Sequence, residues 1–280
     1  MRPHLACPAL AAAEAVLPSR AGNWIGKNAI FVSTGDCVDR GRDTIAIYQL
    51  MDKLRGQAEA AGGRVVNTLG NHELMNAMGD WRYVTKEDID TFGGERNRRR
   101  AMSKDGWIGQ TWMANYSVTA RVPYVPAHFY NFARSAEAEV PLRTDEPFLR
   151  DHDGGGEGDM FTHAAASFVH GGILPTYGPL SRAKPVETIN AIGNALLELV
   201  MDEPAPLRLP SDASPEMREI WSTGGPFWAR DYALEEDEEK VCKLADEATK
   251  KLGVRRLVMG HTPQFDGILS RCDGKVLVIE

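Results

Sequence analysis

The chain has 280 residues, 43% hydrophobic and 25% charged, enough for one large α/β domain with a buried core or for two small domains. No apolar run reaches membrane-spanning length, and a formal net charge of -7 offers no basic face for a polyanionic backbone. Neither a membrane nor a nucleic acid is therefore expected as a partner.

The stretch from Arg2 to Leu17 contains an Ala-rich apolar segment that Pro8 and Glu14 interrupt, a poor secretory signal, so an intracellular, cytoplasmic protein is expected. Residues 29–34 (AIFVST) form a short β-rich run ending in Gly35-Asp36, the pattern of a buried strand that delivers polar groups at its C-terminal end. In 43–61, Ile47, Met51, Leu54 and Ala58 recur at helical spacing, and Gly62-Gly63 stops the helix. A second strand over 64–69 runs into Gly70-Asn71-His72-Glu73 and a short helix through Met78, which completes a βαβ unit.

Periodicity weakens over 80–162, a segment with Trp81, Trp107, Trp112, an arginine-rich run and the Gly-rich stretch 151–159. It is expected to form a cap and an insertion within a single domain spanning 1–280. Strands are expected again at 166–169, before His170-Gly171-Gly172, and at 254–259, before Gly260-His261-Thr262-Pro263. A charged helix fills 234–252, and the C-terminus reads as a hairpin around Asp273-Gly274. Cys7, Cys37, Cys242 and Cys272 show no Cys-x-x-Cys pairing and read as reduced thiols rather than a disulfide framework.

Four apolar strands thus end in four polar clusters. Asp36, Asn71, His170 and His261 together offer carboxylate, amide and imidazole donors, a set suited to manganese, iron or zinc. A single His beside glycine is commonly structural; four such clusters in one order point to one site. The neighbouring residues also have plainer readings. Asp39 and Arg40 could form a surface ion pair, Glu73 a helix-start carboxylate, and Cys37 a buried inert thiol. His128 and His163 read as loop residues, Arg96, Arg98, Arg99 and Arg100 as a solvated helix face, and Trp107 and Trp112 as cap packing.

The combination GDCVDRG, GNHE, VHGG and GHTP resembles the phosphoprotein phosphatase branch of the calcineurin-like metallophosphoesterases, and within it the Shewanella-like protein phosphatases. The likeness covers 22–279, with 123–162 as an insertion. It implies two packed mixed β-sheets flanked by helices, a four-layer α/β/β/α sandwich. It also implies two divalent ions (Mn, Fe or Zn) that activate water, with Asp36 bridging both and Asn71, His170 and His261 binding one of them. By the same resemblance His72 is the general acid, Asp39 orients its imidazole, and Arg40 and Arg230 bind phosphate.

The family's opening Gly-Asp-x-His-Gly, which holds the other metal, does not occur before Gly35. The expectation is a truncated member whose missing first strand leaves a central sheet position unpaired, with one ion rather than two. The leading function is a metal-dependent phosphomonoester hydrolase acting on a phosphoprotein (Ser/Thr or Tyr) or a small phosphoester. The alternatives are a related phosphodiesterase or dinucleotide polyphosphatase, and a non-catalytic pseudophosphatase that binds phosphate or a partner.

Overall fold

The computed structural model describes residues 22–124, 165–201 and 205–280. His4, Cys7, His128, His163 and the Gly-rich stretch 151–159 lie outside them. Strand β1 (Ile30–Ser33) leads to helix α1 (Thr44–Ala60), whose Ile47, Met51, Leu54 and Ala58 are buried, as their spacing requires. Strand β2 (Arg64–Thr68) and helix α2 (Asn71–Met78) follow. Helices α3 (Lys86–Thr91), α4 (Glu95–Met102) and α5 (Trp107–Asn115) come next, then strands β3 (Tyr116–Ser117) and β4 (Thr119–Pro123).

After β5 (Ala165–Val169) the chain forms α6 (Pro185–Val200), α7 (Pro215–Ile220), α8 (Asp231–Leu234) and α9 (Glu238–Leu252). It finishes with β6 (Arg256–Met259), β7 (Leu269–Arg271) and β8 (Val276–Val278), the last two being the expected hairpin. Helix α9 is sharply bounded. The Asp237 side chain accepts from Lys240 N, Glu238 and Glu239 occupy the first turn, Lys250 and Lys251 the last, and Gly253 ends it in the left-handed region.

The strands form two sheets flanked by helices. One has the order β1-β2-β3 and is parallel throughout; the other has the order β4-β5-β6-β8-β7, parallel at its centre and antiparallel at both edges. Only Val118, fully buried, separates β3 from β4, so one extended run leaves the first sheet and enters the second. The expectation of a cap running unbroken from Asp80 misses these two strands. Strand β3, at two residues, is too short for a period to show, and β4 reads TARVP, with a central arginine and a terminal proline in place of an apolar run.

Two further expectations are corrected. Arg98 is not on a solvated face: it is fully buried, while its neighbours Arg96 and Arg100 are exposed. Cys242 and Cys272 are joined in a disulfide, because the β7–β8 turn brings a residue 30 positions away in sequence against the side of α9. Trp112 packs in the core and donates from Nε1 to Tyr48 Oη at 2.9 Å, whereas Trp107 is exposed.

Helix α6 packs on α2, the helix that starts at Asn71, and also on the sheet crossover. A Cβ added at Gly193 would sit 2.0 Å from Val118 Cγ2, so glycine is what allows this approach. Gly193→Ala is expected to lower the free energy of urea unfolding by about 1–3 kcal/mol through overpacking, despite alanine's better helix propensity. Gly56→Ala, on α1 where an added Cβ meets nothing within 4 Å, should raise it by up to about 1 kcal/mol. Like-signed shifts in the two variants would show that the Val118 contact does not limit packing.

Candidate functional site

The loops after β1, β2, β5 and β6 converge, and bring Asp36, Asn71, His170 and His261 together as their strand-end positions suggest. Gly35, at φ 92°, is indispensable: a Cβ there would lie 2.4 Å from Gly70 N, so the first two loops could not touch. Asp36 and His261 themselves adopt positive φ, 56° and 67°.

Glu73 ties the first two loops. Its carboxylate accepts from Asp36 N at 2.9 Å, Cys37 N at 2.8 Å, Gly70 N at 2.8 Å and Tyr48 Oη at 3.1 Å. Burial, and then the Asp36 charge, push its carboxyl above the ordinary glutamate value. Because all four neighbours are donors aimed at it, the ionised form is the one this pocket accommodates. Reading Glu73 as a helix-start carboxylate was correct but incomplete, since helix position says nothing about a second loop.

His170 stands at the centre of the cluster. Its Nδ1 donates to Thr34 O at 2.8 Å, which turns Nε2 toward Asn71 Oδ1 at 2.8 Å, His261 Nδ1 at 3.1 Å and Asp36 Oδ2 at 3.2 Å. Adjacent ligand atoms on an octahedral ion with bonds of about 2.1 Å lie about 3 Å apart, so these separations match the edges of a divalent-ion shell. Burial opposes a charge on His170, but Asp36 and Glu280 outweigh it and raise its pKa to about 9; the site favours positive charge. Burial also raises the Asp36 carboxyl, but His170 and His72 outweigh it and bring the pKa down to about 2.

Burial, then the charges of His170 and Arg230, depress His261 to about 3, so it is a neutral imidazole with a lone pair to give. Its buried Nε2 has no hydrogen-bond partner. Two oxygens and two imidazole nitrogens, one of the rings otherwise half-satisfied, fit a divalent cation.

Beside this cluster, His72 Nδ1 bonds Asp39 Oδ2 at 2.7 Å, and Asn76 Nδ2 donates to Asp39 Oδ1 at 2.9 Å. Asp39 is buried and is not half of a surface ion pair. Burial works against a charged His72, but the Asp39 hydrogen bond and the Asp36 charge outweigh it and raise its pKa. Its Nε2 is left 3.1 Å from Arg40 Nη2 and 3.8 Å from Asp36 Oδ2. Arg40 is exposed and stacks over Tyr83, whose ring also lies against His72.

Asp36, Asp39, Arg40, Gln264, Phe265 and Glu280 line one cavity of about 320 Å³. Arg230 is not on this wall, but it reaches Thr262 Oγ1 at 3.5 Å and its charge is felt at His261. A larger hollow of about 700 Å³ beside α4 contains none of these groups. Glu280 escaped the sequence reading, yet it stands two residues past the end of β8, as His261 does past β6. That shared offset was the available signal.

A family model described as Calcineurin-like phosphoesterase matches residues 8–265. An uncharacterized protein of Schizosaccharomyces pombe is 36% identical over 97% of this chain and 67% of its own length. Shewanella-like protein phosphatase 2 of Arabidopsis thaliana is 26% identical over 92% of this chain and 63% of its own. The crystal structure of a cold-active protein-tyrosine phosphatase from a psychrophilic Shewanella superposes with a TM-score of 0.66 at 22% identity, covering 98% of this chain and 66% of that one. The chain thus spans about two thirds of the length of these relatives.

Glu73→Gln would replace an acceptor-only group by one that turns an NH2 on at least one of the surrounding donors. Stability measured by urea unfolding should fall by about 2–4 kcal/mol. An unchanged midpoint would mean that the carboxylate does not hold the two loops together.

Proposed function

From the premise that this chain belongs to the calcineurin-like phosphoesterase family, we propose that it hydrolyses phosphomonoesters, with a protein phosphoserine, phosphothreonine or phosphotyrosine as the substrate class. The observation that carries the reading is the juxtaposition of a cation-favouring donor cluster, a His–Asp pair and an arginine, with Asp36, Asp39 and Arg40 on the wall of one cavity. Each alone is ordinary; together they supply the three things phosphoryl transfer needs, namely charge neutralisation, a proton source and phosphate orientation.

Family membership implies divalent metal, and Asp36, Asn71, His170 and His261 are the residues that would hold it. When bound, such an ion supplies Lewis-acid polarisation of a phosphoryl oxygen. The chain's own residues do the rest. Arg40 and Arg230 hold phosphate oxygens by charge-assisted hydrogen bonds. His72, with Nδ1–H fixed on Asp39, would deliver a proton from Nε2 to the leaving oxygen, and the Asp39 hydrogen bond favours the charged ring that can do so. The names of the Arabidopsis and Shewanella proteins support a phosphoprotein substrate.

The test is turnover of aryl phosphates with added Mn²⁺, compared with metal binding by calorimetry. His72→Asn should retain Mn²⁺ affinity and slow phenyl phosphate hydrolysis by roughly 10²–10⁴-fold, with a smaller loss on p-nitrophenyl phosphate, whose leaving group needs less protonation. His170→Asn should weaken Mn²⁺ binding itself. Tight Mn²⁺ and phosphate binding without turnover in the unmodified chain would favour a non-catalytic binder. Equal loss of metal in both variants would sink the division of roles.

A further inference from the structure

Helix α4 lies apart in sequence from the four strand-end loops, yet one of its arginines reaches Asn76 and comes near Asp39. Arg98 is fully buried, a strongly unfavourable placement unless the guanidinium is closely paired. Its Nε donates to Asp88 Oδ2 at 2.9 Å and its Nη1 to Asn76 Oδ1 at 2.6 Å, while Trp81 and Phe92 cover it at 4.9 and 5.6 Å. Nη2 lies 3.6 Å from Asp39 Oδ1.

The consequence falls on Asn76, whose two amide ends are chemically distinct but nearly alike in shape. With its oxygen held by Arg98, its NH2 must face the other way, and there it donates to Asp39 Oδ1 at 2.9 Å and to His72 O at 2.9 Å. Asp39 is thereby turned so that Oδ2 is left for His72 Nδ1. A flipped Asn76 would set its oxygen against the Asp39 carboxylate, a repulsion that would swing the carboxylate off the ring.

We propose that Arg98 is a positioning residue for the acid: through Asn76 and Asp39 it fixes the orientation and tautomer of His72, and so couples helices α3 and α4 to the proton-delivery step. This rests on the reading of His72 as general acid. The relay is specific to arginine, because a lysine ammonium can satisfy Asp88 or Asn76 but lacks the rigid fork that serves both.

The test compares the unmodified chain, R98K, D39N and R98K/D39N, each with Mn²⁺. R98K should lower kcat on phenyl phosphate by roughly 10–100-fold, as loss of an orienting partner does, with KM and calorimetric Mn²⁺ affinity unchanged and a smaller loss on 2,4-dinitrophenyl phosphate. In the D39N background it should cost little more, because both changes break the same chain. In ¹⁵N-histidine spectra recorded at a pH where the His72 ring is neutral, the unmodified chain should show it protonated at Nδ1, and R98K should mix the two tautomers.

A loss that is equal for both leaving groups, or additive with D39N, would overturn the proposal. Should R98K not fold, D88N, which removes the outer partner and keeps the arginine, is read by the same leaving-group comparison. If the unmodified chain turns over no phosphoester, the phosphatase reading fails, and the tautomer spectra alone decide the relay: an unchanged His72 signal in the variant rejects it.

Discussion

The carboxylate of Glu73 sets the distance between the two loops on which half the site is built. It is fully buried, an expensive place for an ion, and becomes tolerable because three backbone N–H groups and a tyrosine hydroxyl converge on it. Those N–H groups belong to Asp36, Cys37 and Gly70, so satisfying one side chain fixes the backbone on both sides of the gap. His72 N then closes the circuit by donating to Asp36 Oδ1 at 3.0 Å. Asp36, Asn71 and His72 inherit their mutual positions from this arrangement.

The donor cluster also depends on the relation of the two sheets. Asp36 and Asn71 follow strands of the first sheet, His170 and His261 strands of the second. The bond from His170 Nδ1 to Thr34 O spans the sheets, and Gly260 N to His170 O, at 2.8 Å, aligns the two loops of the second. The chain run through Val118 and the glycine that lets α6 reach it keep these layers in one registration. A site assembled across two sheets reports on that registration as well as on its own chemistry.

Much of this was legible in the sequence because strand ends and glycine turns are local signals. The strands before Asp36, Asn71, His170 and His261, the α1 face and the C-terminal hairpin all follow from periodicity and turn residues. What escaped is non-local. Arg98 differs from Arg96 and Arg100 only in what folds over it, namely Asp88, Asn76 and Trp81. The Cys242–Cys272 pair is 30 residues apart, a spacing that no local pattern marks. Glu73 looked like any acidic residue in a first helical turn, because two of its partners, Asp36 N and Cys37 N, come from a loop 36 and 37 residues earlier. Strand β3 was hidden by its shortness, β4 by its mixed composition, and both by the weakly patterned helices before them.

Asp36, Asp39, Arg40 and His261 all hold positive φ, a region in which a side chain other than glycine is strained by about a kilocalorie or more per residue. The backbone would relax if each became glycine, and with that relaxation the functional groups would vanish. At Asp36 and Asp39 glycine would orphan the buried donors that bond them, so strain is the smaller quantity there. Arg40 is exposed and His261 Nε2 has no partner, so selection for thermal endurance alone has its downhill route through these two, and a heat-resistant variant altered at either is a candidate for a silent scaffold rather than an improved protein.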